Sequence, residues 1–184
     1  MYNPFSLSGK MIIITGASSG IGRQCAIDCS KMGARVALIA RNEERLKETR
    51  GKMERPEEHF YYSLDLAQSD KIMELVENIV ISHGRIDGFI HAAGIEKTLP
   101  VRFLSTGDYE TVFRVNTLSA FEFVHCFSNK KFFNDNGHIV LISSITSIIG
   151  RGGVSAYAAS KGAMVSAVRS MALELARKGI CINC

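Results

Sequence analysis

Thr15-Gly16-Ala17-Ser18-Ser19-Gly20-Ile21-Gly22 is the stretch whose reading decides the fold. The apolar run Met11 to Ile14 leads straight into it, and an amphipathic stretch continues from it to about Met32, so its glycines stand between a strand and a helix. That location matters more than their number. A helix N-terminus presents unpaired N–H groups and about half a positive charge, and residues without side chains let an anion come close to them. The competing reading is a flexible strand-to-helix turn. The spacing G-x-x-x-G-x-G also lacks the Lys-Ser/Thr pair of a triphosphate-binding loop, which disfavours triphosphate hydrolysis.

Working outward, short runs rich in Ile and Val alternate with amphipathic stretches in the order β-α-β-α-β-α-β-α-β-α-β. Strands are expected near 10–15, 35–40, 59–63, 86–91, 137–142 and 180–184, each too continuously apolar to keep one face in water. After Ser69, which can cap a helix, Ile72, Leu75, Val76, Ile79 and Val80 recur on one face until Gly84 ends it. Ser105 with Asp108 forms a capping-box pattern for a helix running toward Lys131, and Asn134 to Gly137 is expected to turn the chain into the next strand. A last helix spans about Ala156 to Lys178 and stops at Gly179. The expectation is an α/β, doubly wound parallel sheet of the Rossmann type, one domain over 1–184. The chain stops at Cys184 within its last strand, so its C-terminal end is expected to be truncated.

Composition bounds the function. With 46% apolar and 22% charged residues the chain reads as a globular domain rather than a disordered one. A net charge of +4 without a run of Lys or Arg gives no footprint for nucleic acid, though a single phosphate remains compatible with it. Met1 to Gly9 lacks the basic start and apolar stretch of a signal peptide, and no apolar run could span a bilayer; a cytoplasmic protein without a membrane partner is expected. The cysteines, Cys25, Cys29, Cys126, Cys181 and Cys184, are odd in number and include no C-x-x-C pair, which suits reduced thiols. Cys25 and Cys29 are read as core packing. The histidines fall into no ligand spacing, so no metal is expected.

Inside a βαβ unit the glycine turn points to a dinucleotide, and the end of the second strand is where such a fold meets the adenosine ribose, commonly through a carboxylate. Here Ala40 stands in that place and Arg41 follows, whose guanidinium can pair with a 2′-phosphate; the alternative is a solvated surface Arg paired with a neighbour such as Glu44. Tyr157 and Lys161 are four residues apart and so share a helical face. An ammonium stabilises phenolate against a reference pKa of about 10, but such a pair alone is ordinary helix packing. Ser144 ends the apolar strand Ile139-Val140-Leu141-Ile142, thirteen residues before Tyr157.

Taken together these residues resemble the short-chain dehydrogenase/reductase family, including its 3-oxoacyl carrier-protein reductase-like members. Thr15, Gly16, Gly20, Ile21 and Gly22 match its T-G-x-x-x-G-I-G turn. Asn116, within Arg114-Val115-Asn116-Thr117, matches its helical asparagine, and Ser144, Tyr157 and Lys161 are in register. The family's N-N-A-G element is met only at Ala93 and Gly94, because His91 and Ala92 replace its asparagines and leave their side-chain hydrogen bond to backbone unassigned.

The resemblance implies roles. Gly16, Ser18, Ser19, Gly20, Ile21 and Gly22 would hold the pyrophosphate, Arg41 would favour NADP, Asp65 with Leu66 would meet the adenine, and Ala93 and Gly94 would let the cofactor pass. Asp65 has the plainer alternative of leading into the next helix. Tyr157 would exchange the proton with a carbonyl or alcohol oxygen, Ser144 would hydrogen-bond that oxygen, Lys161 would hold the nicotinamide ribose and tune Tyr157, and Asn116 would support a water relay. The chain is thus expected to be an NADP-dependent oxidoreductase acting on a ketone or secondary alcohol. Its helices from about Ser105 to Lys131 and Ala156 to Lys178 carry Val112, Phe113, Phe121, Val124, Val165, Val168 and Met171 over more than one face, and the resemblance implies that these two helices pair into a homodimer or homotetramer. The alternative is a non-catalytic NADP-binding regulatory protein of the same fold, which is expected to have lost Tyr157 or Lys161.

Overall fold

The computed structural model describes residues 3–184, so Met1 and Tyr2, part of the stretch read above for a leader, lie outside the described residues. Six strands, β1 (Met11–Thr15), β2 (Arg35–Ala40), β3 (Phe60–Ser63), β4 (Ile86–His91), β5 (Phe133–Leu141) and β6 (Cys181–Asn183), form one parallel sheet in the order β3-β2-β1-β4-β5-β6. Alternation along β1 to β4 feeds two cores, whereas β5 and β6 bury one face only. His138, Val140, Cys181 and Asn183 are exposed, which corrects the expectation that no strand keeps a face in water. In β1, Met11 and Ile13 join a cluster with Phe89, Phe123, Ile139 and Met164, while Ile12 and Ile14 join Ala26, Leu38 and Leu46 on the opposite face. The first cluster is covered by α3 (Ile72–His83), α5 (Ser119–Phe127) and α6 (Ser155–Leu175), the second by α1 (Gly20–Lys31) and α2 (Glu43–Gly51). Cys25 and Cys29 pack against this second core, where burial pushes the Cys29 thiol up to about 11. No helix among the described residues is long and apolar enough to cross a membrane.

The doubly wound parallel sheet of the sequence reading is therefore present. Its strand order reverses between β1 and β4, and an open α/β sheet binds ligands at the carboxyl ends of the strands beside such a reversal.

Three local expectations are corrected. Ser69 does not cap a helix: a short 3₁₀ turn occupies Ser69–Lys71 and α3 starts at Ile72 without a side-chain cap, although Gly84 does end it with φ of 90°. Asn134 to Gly137 is not a turn before a strand but lies inside β5, where pairing with β4 slips between Ile86↔Phe133 and Gly88↔His138. Asn136 takes up the slip at φ of 61°, a conformation asparagine tolerates better than most residues, and a Cβ at Gly137 would meet the Phe133 ring at 2.3 Å. The helix from Ser105 has its reciprocal capping box with Asp108, but it is not continuous. α4 (Thr106–Phe113) gives way to a widened π-helical turn over Arg114–Leu118 before α5 begins. The last helix closes as expected, through a 3₁₀ turn and Gly179 at φ of 67°.

Candidate active site

A cleft of about 760 Å³ opens at the reversal point. Its base is the β1–α1 turn, whose local form follows from missing side chains. Gly16 has φ of 68°, and a Cβ there would stand 2.7 Å from the Ala93 nitrogen; a Cβ at Gly22 would stand 2.4 Å from the Gly16 carbonyl oxygen. Both are contacts with backbone, which cannot move aside without moving the sheet. Gly20 differs, with φ of 52° and open space where a Cβ would be. Ser18, Ser19, Gly20 and Ile21 line the cleft with Gly16, whereas Gly22 does not line it and packs against the Gly16 carbonyl. Ser19 precedes α1 in an extended conformation without a side-chain bond to the first turn, so that turn's N–H groups have no capping partner and face an anion's position.

A clamp holds this turn from behind. Arg23 Nη2 donates to the Ser18 carbonyl at 2.5 Å, its Nε donates to Thr49 Oγ1, and its guanidinium pairs with Glu48. Thr49 Oγ1 is also within donor distance of the Ala17 carbonyl at 2.9 Å, so α2 and the turn are joined.

At the other wall, Ala40 ends β2 and Arg41 follows it along the cleft, and the Ser63 hydroxyl donates to the Arg41 carbonyl at 2.9 Å. The alternative pairing of Arg41 with Glu44 is not found, because Glu43 and Glu44 are both bound to Lys47. Arg45 lines the same wall, and neither it nor Arg41 has an ion-pair partner among the described residues. Sequence reading missed Arg45; its four-residue spacing from Arg41 across the start of α2 was the available signal. Asp65, with Leu66 beside it, faces the cleft with Oδ1 taken by the Ala67 N–H, so it turns the chain as well as lining the wall.

Ala93 and Gly94 form the far end of the cleft. Beneath them lies the second part of the site. A Cβ at Gly94 would be 3.4 Å from Asn116 Oδ1 and 3.6 Å from Lys161 Nζ, so the strip of chain that separates cleft from corner is as thin as a peptide allows. Asn116, buried in the widened turn, accepts from the Ile95 N–H at 2.7 Å and donates to the Ile95 carbonyl and Ser160 Oγ. Lys161 is 3% exposed, donates to the Ile142 carbonyl at 2.7 Å, and stands 5.9 Å from the centre of the Tyr157 ring. No carboxylate among the described residues pairs with it, and burial pushes its ammonium down to about 8.

The two adjacent serines have separated tasks. Ser143 donates to the Lys161 carbonyl at 3.2 Å and is committed to α6. Ser144 Oγ accepts from Thr146 N–H at 3.2 Å and from its hydroxyl at 2.9 Å, which leaves the Ser144 proton to give. Thr146 is a second contributor that the sequence did not reveal, since it acts on another side chain. His91, which occupies an asparagine's place in the motif, is bound through Nδ1 to Thr15 Oγ1 at 2.9 Å. Burial first, and the Lys161 charge second, push its ring down to about 3.

These features fit a dinucleotide: glycines pressed on backbone, a helix start without a side-chain cap, two guanidiniums without an ion-pair partner on one wall, and a thin crossing at Gly94. No group of side chains able to hold a metal ion occurs among the described residues.

The sequence matches the short chain dehydrogenase family over residues 10–184. It is 33% identical over 181 residues to the glucose 1-dehydrogenase of Gluconobacter oxydans, covering 96% of this chain and 67% of that protein. Identity is again 33% over 181 residues to the 3-oxoacyl-acyl-carrier-protein reductase of Thermotoga maritima, covering 96% and 72%. Among solved structures, a short-chain dehydrogenase/reductase from Serratia marcescens superposes with a TM-score of 0.90 at 26% identity, over 96% of this chain and 73% of that one. Turn, cleft, corner and relatives agree: the chain belongs to the short-chain dehydrogenase family, is similar to its 3-oxoacyl carrier-protein reductases, and is an oxidoreductase that uses a nicotinamide cofactor.

Proposed function

We propose that the chain is an NADP-dependent reductase of ketones, reversible toward secondary alcohols, with cofactor and catalytic groups in one domain over 1–184. The observation that carries this reading is Lys161, a buried cation without an acidic partner, set under Gly94 and beside Tyr157. A charge in that position is costly, and groups so perturbed cluster where chemistry is done.

Gly16, Ser18, Ser19, Gly20, Ile21 and Gly22 hold the pyrophosphate, Asp65 and Leu66 the adenine, and Arg41, assisted by Arg45, the 2′-phosphate. A bound reduced nicotinamide supplies hydride to the carbonyl carbon. Tyr157 gives the proton to the carbonyl oxygen, or takes it in the reverse direction, while Ser144 donates a hydrogen bond to the same oxygen as negative charge grows there. Lys161 holds the nicotinamide ribose and keeps positive charge next to Tyr157, and Asn116 fixes the floor on which both stand and supports the water relay. The partner is a small carbonyl or alcohol compound, and the protein works in the cytoplasm.

Titration with NADPH and NADH checks the cofactor. One charge-assisted hydrogen bond corresponds to about tenfold to a hundredfold in affinity; NADPH is expected to bind tighter by that factor, and Arg41→Asp to reverse the order. Equal dissociation constants would remove Arg41 from the role. A protein that binds NADPH yet reduces no member of a broad ketone panel would be the regulatory alternative instead.

The protein is also read as a homodimer or homotetramer, on narrower grounds than the sequence offered. Val112, Val124 and Val168 turn into the molecule's own core, while Leu118 on the widened turn and Leu173 on α6 remain 48% and 78% exposed. Light scattering is expected to give a multiple of the chain mass, and a monomer at micromolar concentration would contradict it.

A further inference from the structure

Ser143 and Ser144 follow β5 side by side, and their hydroxyls are committed differently. Ser143 gives its proton to the Lys161 carbonyl at 3.2 Å. The Ser144 oxygen instead receives two hydrogen bonds, from the Thr146 N–H at 3.2 Å and from the Thr146 hydroxyl at 2.9 Å. A hydroxyl has one proton and two lone pairs. With both lone pairs of Ser144 taken, its proton is the one function left, and the O–H bond turns away from Thr146. The main chain of Ser144 is fixed as well. It is extended, and its carbonyl accepts from the Ser147 N–H at 3.0 Å and from the Ser147 hydroxyl at 2.6 Å. The 3₁₀ turn Ile145–Ser147 therefore holds this serine by its carbonyl and by its side chain, and the same turn packs against α6, the helix that carries Tyr157. Thr146 is itself half-buried, so water competes poorly for its hydroxyl.

We propose that Thr146 is a positioning residue for carbonyl reduction: by filling the second lone pair of Ser144 Oγ, its hydroxyl makes that serine a donor only and aims the serine proton at the substrate oxygen. The inference rests on the reductase reading and deepens it. As negative charge grows on the carbonyl oxygen, a hydroxyl that is itself receiving hydrogen bonds donates more strongly, because linked hydrogen bonds polarise one another. In the reverse direction an alcohol O–H meets no free lone pair on Ser144, so its proton has a single route, to Tyr157. A residue without a hydroxyl at 146 leaves one lone pair of Ser144 open to water, and the direction of the serine proton is lost with it.

Steady-state kinetics on an active ketone test this. Thr146→Val keeps the shape of the side chain and removes the hydroxyl. Its kcat is expected to fall about tenfold, the effect of one hydrogen bond, with the ketone KM and NADPH affinity unchanged within about twofold; Thr146→Ser is expected to restore kcat to within about threefold. An unchanged or raised kcat in Thr146→Val makes Ser144 the donor of that pair and overturns the proposal. So does a serine variant as slow as the valine one, or a change confined to KM or to NADPH affinity. In a Ser144→Ala background Thr146→Val is expected to alter the residual kcat by less than about twofold, since a residue acting through another has nothing left to act on. A further tenfold fall there overturns the proposal. Hydrogen exchange without substrate separates this proposal from the reductase reading: Ser144→Ala is expected to speed exchange of the Thr146 amide about tenfold. A wild-type protein that reduces no ketone while that amide responds removes the reductase reading, and the task of Thr146 with it. An active wild type whose Thr146 amide does not respond overturns the Thr146 proposal alone. Should Thr146→Val fail to fold, Thr146→Ala carries the same expectations.

Discussion

At the β1–α1 turn the site is made by side chains that are missing, and at the corner of Asn116 and Lys161 by side chains that are present. Gly16 and Gly22 are packed so that a single methyl would strike backbone, at 2.7 Å and 2.4 Å. The corner is a set of polar groups, each with a named partner: Asn116 on Ile95 and Ser160, Lys161 on Ile142, Thr117 on the Ser160 carbonyl. The first arrangement is tolerant of what surrounds it and intolerant of any addition. In the second a side chain can be exchanged with the fold retained, but its chemistry is lost with the atom that is removed. Binding and turnover should therefore respond to mutation separately.

The largest separation is expected at Tyr157. Tyr157→Phe keeps the ring and its contact with Lys161 while deleting the hydroxyl, so turnover should fall about 10²- to 10⁴-fold, the usual contribution of a positioned acid or base, with NADPH affinity unchanged by titration. Undiminished turnover would remove Tyr157 from the mechanism. Gly22→Ala tests the other region. Alanine in place of a helical glycine ordinarily gains up to about 1 kcal/mol, but here its Cβ meets the Gly16 carbonyl, and overpacking of that kind costs about 1–3 kcal/mol. The clash should win, lowering urea stability and NADPH affinity together; a stabilised variant with intact binding would show the turn to be looser than described.

A third effect sharpens the comparison at His91. Burial holds its ring at about 3, against an ordinary value of 6.5, so in acid the unfolded chain takes up the proton before the folded one does. Stability is then complete above about pH 6.5 and drains as pH falls toward 3, by about 2 kcal/mol down to about pH 5. His59 and His83, also lowered by burial, add in the same direction. His91→Asn should flatten most of this slope in denaturant melts at stepped pH, and an unchanged slope would place the acid sensitivity in the other two histidines.

The same contrast marks what the sequence could disclose. Strand positions came from short runs rich in Ile and Val, and β2 and β4 have the expected bounds although Arg35 begins the first and Asp87 and His91 belong to the second. The glycine turn stood out by its place between a strand and a helix, whereas Ser144, Tyr157 and Lys161 stood out only through their register with the family's motifs. Less legible were features set by contacts across the fold. The widened turn at Arg114–Leu118 has no composition of its own, and its residues read as ordinary helix. The slip in β5 looked like a turn because Asn134 to Gly137 has turn composition, whereas pairing with β4 keeps those residues in the sheet. Thr146 touches the site only through Ser144, two residues before it, and Arg45 lines the cleft from α2 with only its spacing from Arg41 as a signal. His91 was visible only as a departure from a motif, and its meaning depended on Thr15, which stands 76 residues away.

The clamp between α2 and the glycine turn has a consequence for how such a protein can change over evolutionary time. Arg23, Glu48 and Thr49 fasten the element that carries Arg45 to the turn that carries Ser18. The frame is thereby stiff, while the groups that would read the adenosine end, Arg41 and Arg45, project from it as exposed side chains bound to nothing else. If the proposed cofactor site holds, a lineage could exchange those two residues and alter its choice of cofactor without redrawing the backbone of the glycine turn. On that reading selectivity would be a replaceable fitting on a fixed mount, and the route from one cofactor to the other short.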